Sequence, residues 1–192
     1  MRVLSLNCRG LGQALTVRTA RYLVINNRID LVFLMETKCK TSQLSCLGLN
    51  MGFGFYCGVD ALGTKGGLWA AWNSNFHISV NKISRRFLVL HVKDDQDRPW
   101  CLVLLYGHPV VSSRNVVWEE LSSFLSGVST LVIIVGNYNQ VFDPSDKWSS
   151  NTRQIPGLAN GNMFLSNNRL INLTTKGVPF SWTNARIGRA AT

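Results

Sequence analysis

The sequence predicts an α/β fold, two mixed β-sheets packed face to face with helices outside, a two-sheet α/β sandwich. Three observations lead there. An alternating strand, a helix and a wholly apolar strand follow one another at the start of the chain; short strand-like runs separated by Gly, Asn, Asp and Pro fill the middle; and a second helix leads into another solid apolar run. Helices interleaved with two sets of strands imply layers.

Val3-Leu4-Ser5-Leu6-Asn7 alternates as a half-buried strand does, and Gly10 and Gly12 then open a loop. From Thr16, an N-cap candidate, the pattern turns helical, with Val17, Ala20 and Val24 on one side and Arg18, Arg21 and Arg28 elsewhere. Leu31-Val32-Phe33-Leu34-Met35 is apolar on both faces. Following a helix after the first strand, it reads as the end of a right-handed βαβ crossover in a buried sheet, and it delivers Glu36 to a strand end. Runs at 54–58, 67–72, 77–83, 87–92 and 101–106 suggest antiparallel meanders. An amphipathic helix over 113–125 precedes the apolar run 130–135, which breaks into Gly136-Asn137-Tyr138-Asn139. An irregular stretch near 143–157 and a weak helix around 163–169 lead to Pro179-Phe180-Ser181-Trp182-Thr183-Asn184. No internal repeat or low-complexity tract is visible.

The 192 residues suit a single domain over 1–192. With 46% hydrophobic and 16% charged residues, the composition excludes a disordered chain. A formal charge of +10 draws polyanions, nucleic acid first, although Arg and Lys are scattered without a basic run. Cys8, Cys39, Cys46, Cys57 and Cys101 are odd in number and form no CxxC pair, which argues against a zinc knuckle or a full disulfide framework and for a reducing compartment. No apolar signal core begins the chain, and no apolar run reaches the ~20 residues that cross a bilayer. The expectation is a soluble intracellular protein, nuclear or cytoplasmic, with no membrane partner.

Polar residues stand where apolar strands end: Asn7, Glu36, Tyr106, Asn137 and Asn139. Singly, each has a plain reading as a turn former, a solvated charge or an interface aromatic. Together they form a constellation that loops can bring to one edge of a sandwich.

The ordered blocks Leu4-Ser5-Leu6-Asn7-Cys8-Arg9-Gly10-Leu11-Gly12, Phe33-Leu34-Met35-Glu36-Thr37-Lys38, Val103-Leu104-Leu105-Tyr106-Gly107 and Gly136-Asn137-Tyr138-Asn139-Gln140 resemble the endonuclease/exonuclease/phosphatase (DNase I-like) superfamily. Asn-Cys-Arg-Gly-Leu-Gly, Met-Glu-Thr-Lys, Tyr-Gly-His-Pro and Pro-Phe-Ser-Trp-Thr-Asn are most similar to the endonuclease of plant LINE-type retrotransposons. The matches run from residue 4 to about residue 188.

The resemblance implies a DNA-nicking phosphodiesterase that uses Mg²⁺ or Mn²⁺. Glu36 becomes the principal carboxylate ligand, with Asn7 beside it orienting water and metal. Tyr106 and Asn139 become donors to the phosphate, and Ser181 a further phosphate contact. DNA is the implied substrate, with a reverse transcriptase domain of the same element as partner. Two departures stand against full activity. The block expected to read Gly-Asp-Phe-Asn is Gly136-Asn137-Tyr138-Asn139 here, and an amide cannot take a proton from the attacking water. The chain also stops before the family's closing Asp-His pair, which predicts a C-terminally truncated domain lacking its last strands.

The resulting expectation is an impaired endonuclease. The alternative is a non-catalytic basic nucleic-acid-binding remnant or pseudogene product, and action on a phosphoinositide or sphingomyelin is a third possibility. Trp69, Trp72 and Trp182 can be read as base-stacking platforms or as core, and core is the commoner role of aromatics in strand patterns. His77, His91 and His108 read as structural or surface histidines, and Gly66-Gly67 as a turn before a strand.

Overall fold

The computed structural model describes residues 1–147, 155–174 and 176–177. They belong to two compact units, Met1–Tyr106 with Ser129–Asn137, and Gly107–Val128 with Tyr138–Thr192. Ser181 and Trp182 lie outside the described residues.

The first unit holds both sheets. One is formed by β1 (Val3–Asn7), β2 (Leu31–Met35), β3 (Phe55–Val59) and β4 (Leu68–Trp72) in the order β1-β2-β4-β3; the other by β5 (His77–Ile83), β6 (Phe87–Lys93), β7 (Pro99–Tyr106) and β8 (Leu131–Asn137) in chain order. Both are mixed. β1 runs parallel to β2 with Asn7 opposite Met35, and β7 parallel to β8 with Tyr106 opposite Asn137, while the other pairs are antiparallel. The parallel β1–β2 pair is the crossover expected from the pattern, and β5–β6–β7 is a meander.

The alternation of side chains along these strands builds two apolar layers. Leu31, Phe33 and Met35 of β2 meet Leu88, Leu90, Leu102 and Leu104 of the second sheet, with Leu68, Ala70 and Trp72 beside them. The opposite face of β2, Val32 and Leu34, joins Trp69 and Ala71 under Ala20 and Val24 of α1 (Ala14–Asn26). β2 is therefore buried on both faces, as its unbroken apolar run requires. Trp69 and Trp72 are 0% and 4% exposed, so they fill core and are no stacking platform.

Helix α1 starts earlier than the sequence suggests. Gln13 in extended conformation precedes it, and neither Gln13 nor Thr16 caps it with a side chain. Ala14 and Leu15 have good helical propensity, which puts Thr16 inside the first turn. A 3₁₀ turn at Thr41–Leu44 runs into α2 (Ser45–Asn50), which no periodic pattern announced.

In the second unit, a 3₁₀ turn at Val111–Ser113 leads into α3 (Arg114–Leu125), and α4 spans Leu158–Asn167 rather than 163–169. Gly157, at φ +79°, opens α4, and Gly161 lets it approach Gln140 and Phe142, where a Cβ would lie 3.0 and 3.1 Å away. These glycines lower helix propensity and hid the start of α4 in the sequence. Trp118 stacks on Phe164 at 4.7 Å, and Tyr138 meets Phe142 edge-on at 5.2 Å.

Candidate active site

Asn7, Glu36 and Tyr106 converge at the ends of β1, β2 and β7. Asn7 Nδ2 donates to Glu36 Oε1 at 2.9 Å, and the Tyr106 hydroxyl donates to the same oxygen at 2.6 Å. Met35 and Tyr106 belong to the layer between the sheets. A strand continuing past Met35 would send Glu36 to the opposite face. Glu36 breaks the alternation with φ +56°, and its carboxylate meets Asn7 and Tyr106 instead. Arg9 and Lys38, at φ +51° and +55°, share this left-handed conformation, so the site concentrates uncommon backbone states.

The turn before β4 holds the segment that carries Glu36. Thr37 N donates to Gly67 O at 3.2 Å and Lys38 N to Gly66 O at 2.9 Å. Gly67 sits at φ +88°, and a Cβ there would lie 2.2 Å from Thr37 Oγ1. Gly66-Gly67 is thus a turn before a strand, as expected, and also the seat of the Glu36 loop. On the other side, Cys8 N donates to Met35 O and Leu11 N to Thr37 O, both at 3.0 Å.

Burial pushes the Glu36 carboxyl up, but the hydrogen bonds from Tyr106 and Asn7 and the charges of Lys38 and Arg9 outweigh it and hold the group below its ordinary value. It is an anion at neutral pH. Sequence reasoning missed Arg86. Its guanidinium lies over the Tyr106 ring, 5.5 Å from the centroid, and its backbone carbonyl accepts from Tyr106 N at 2.7 Å. The available signal was the Arg85-Arg86 pair immediately before a strand.

Asn137 ends β8 as the register partner of Tyr106, one strand from the Glu36 hydrogen bond. Asn139 belongs to the second unit, at φ +53°, and its Nδ2 donates to Gly107 O at 2.7 Å. In the same unit Arg114 ties two loops together, donating to His108 O, Pro109 O and Gln140 Oε1 at 3.0, 3.3 and 2.8 Å. His77 and His91 are exposed and His108 is partly exposed.

The donor set can be tested against a divalent ion. All ten acidic residues lie in the described part of the chain, and no group of three His, Cys, Asp or Glu is placed to hold a metal. Within the first unit, Asp30 accepts from Arg2 N and Asn73, Asp60 from Thr41, and Asp94 and Asp97 pair with Arg98 and Lys93. Mg²⁺, however, is commonly held by one or two carboxylates together with waters and substrate phosphate oxygens, and Glu36 with Asn7 fits that arrangement.

Among the described residues no helix is long and apolar enough to cross a membrane. No protein-family model matches the sequence, and no curated protein does. Solved structures do. The chain is similar to an AP endonuclease from Archaeoglobus fulgidus (TM-score 0.64, 12% identity, 88% of this chain and 68% of that one). It is also similar to the AP endonuclease LMAP from Leishmania major (0.67, 13%, 86% and 66%) and to a 3′ phosphatase, NExo, from Neisseria, solved with product DNA hairpin (0.55, 14%, 79% and 62%). The chain thus spans about two thirds of the length of these proteins. At such low identity the likeness speaks for architecture, and the chain has the DNase I-like α/β sandwich fold.

Proposed function

We propose that the chain carries the phosphodiester-hydrolysing site of a DNA-nicking endonuclease of LINE type, in a form with little turnover. One observation supports it above the rest: Glu36, an anion at a strand end of a DNase I-like fold, accepts hydrogen bonds from both Asn7 and Tyr106. The blocks Asn-Cys-Arg-Gly-Leu-Gly from Asn7, Met-Glu-Thr-Lys at Glu36, Tyr-Gly-His-Pro from Tyr106 and Pro-Phe-Ser-Trp-Thr-Asn favour the LINE branch, with a reverse transcriptase domain of the same element as partner. The DNA bound by the Neisseria neighbour favours DNA as substrate.

In this reading Glu36 and Asn7 hold Mg²⁺ or Mn²⁺, which supplies Lewis-acid stabilisation of the charge that builds on the phosphate. Tyr106 fixes the Glu36 carboxylate through its hydroxyl. Arg86 offers a cation beside the Tyr106 ring for a phosphate oxygen, and Asn139 and Ser181 supply further donors to the strand. Hydrolysis forms a bond from water oxygen to phosphorus and breaks the bond to the leaving deoxyribose oxygen, which takes up a proton from solvent. The proton of that water needs an acceptor, and an amide at Asn137 cannot be one. Loss of a positioned base costs about 10²–10⁴-fold in rate, roughly 3–5 kcal/mol of barrier.

A second reading, nucleic-acid binding without chemistry, is favoured by the same Asn137 and by the charge of +10. Nicking of supercoiled plasmid in Mg²⁺ separates the two. The native chain is expected to cut at the background rate and Asn137→Asp to cut measurably. Salt-sensitive DNA binding with no cutting by Asn137→Asp supports the binding-only reading.

A further inference from the structure

We propose that this site takes its nucleic-acid strand and its metal ion in a fixed order, the strand first and without metal, the ion second and only with the strand in place. The proposal rests on the metal-assisted reading above and concerns how this chain's residues meet that ion. Glu36 is the one carboxylate of the constellation, and the hydrogen bonds from Asn7 and Tyr106 both fall on Oε1, so that Oε2 accepts neither. The Asn7 Oδ1 already accepts from Arg9 N at 3.2 Å.

Two cations act on this single anion, and a third stands beside the ring of Tyr106, which donates to it. Lys38 and Arg9 act on the Glu36 charge, and Arg86 lies 5.5 Å from the centre of the Tyr106 ring. None of the three forms an ion pair with a carboxylate among the described residues. Asn137, opposite Tyr106 in register, brings an amide where a carboxylate would offset them. The site is therefore net positive before anything binds. A free divalent cation meets one carboxylate and the amide oxygen of Asn7, opposed by the like charges of Lys38 and Arg9 and by Arg86 beside Tyr106. A phosphodiester strand meets an attractive field, neutralises it, and supplies the anionic oxygens that a hydrated hard ion needs as further ligands.

The test is a Mn²⁺ titration followed by electron paramagnetic resonance, in which bound ion loses the sharp signal of the free ion, together with duplex binding in EDTA and in Mg²⁺. Five samples are compared: the native chain alone, the native chain with a short duplex, Glu36→Gln alone, Glu36→Gln with the same duplex, and Asn137→Asp alone. The duplex without protein sets the baseline. Duplex affinity in EDTA and Mg²⁺ is expected to agree within about twofold, consistent with a field that needs no metal. The native chain alone should show no saturable Mn²⁺ site. One should appear with the duplex and vanish in Glu36→Gln, and Asn137→Asp alone should show a saturable Mn²⁺ site that the native chain alone lacks. Saturable binding by the native chain alone that Glu36→Gln removes overturns the order and leaves the metal-assisted reading standing. Absence of any Glu36-dependent Mn²⁺ site, with duplex or in Asn137→Asp, overturns both.

Discussion

Tyr106 and Glu36, seventy positions apart in the sequence, are joined by a 2.6 Å hydrogen bond from the phenol to the carboxylate, and this bond ties the two sheets together at the candidate site. Its removal in Tyr106→Phe is expected to raise the Glu36 carboxyl, since that bond is the largest influence holding it down against burial. A group held below its ordinary value stabilises the fold above that value and loses the contribution as pH falls through the lowered one. The stability gap between native and Tyr106→Phe should be full at neutral pH and close on acidification. Carboxyl ¹³C shifts and urea melts across pH measure both effects; an unchanged Glu36 titration contradicts the assignment.

Gly67→Ala should cost about 2 kcal/mol or more, because Ala at φ +88° is strained and its Cβ would fall 2.2 Å from Thr37 Oγ1. Urea denaturation measures it. Gly63→Ala is a useful comparison, with φ +58° and open space, and should cost less.

Arg86→Ala should weaken binding of duplex DNA and lower the dependence of log affinity on log salt by about one unit, the signature of one lost phosphate contact. Fluorescence anisotropy from low to moderate salt reads this directly. An unaltered salt slope would leave Arg86 as a partner of the Tyr106 ring alone.

Cysteine reactivity should divide by burial. Cys46 is exposed, whereas burial pushes the Cys57 thiol up to about 12 and also raises Cys8. Timed alkylation at pH 8 with mass spectrometry should label Cys46 first and leave Cys57 and Cys8 unmodified while the chain is folded.

How much of this was legible depended on whether the signal was local. β2 was plain because five successive apolar residues leave a strand no solvent face, and the polar residue ending such a run had to emerge at an edge. Asn7 and Tyr106 followed from the same logic. The φ +56° that turns Glu36 back toward them has no signature in a glutamate, and the clasp of Gly66-Gly67 on Thr37 and Lys38 joins segments about thirty residues apart. α2 escaped because six residues containing Gly48 show no helical period. Arg86 escaped because its role arises only when β6 and β7 pair and set it over a ring twenty positions away.

Glu36 is the anion on which the proposed phosphodiester chemistry depends. The most direct measurement compares plasmid nicking in Mg²⁺ by Asn137→Asp with that by the same variant carrying Glu36→Gln, both checked for native folding by circular dichroism. Cutting by the first that falls at least about 100-fold in the second is the predicted result. Equal cutting by the two would contradict it and place the chemistry elsewhere in the chain.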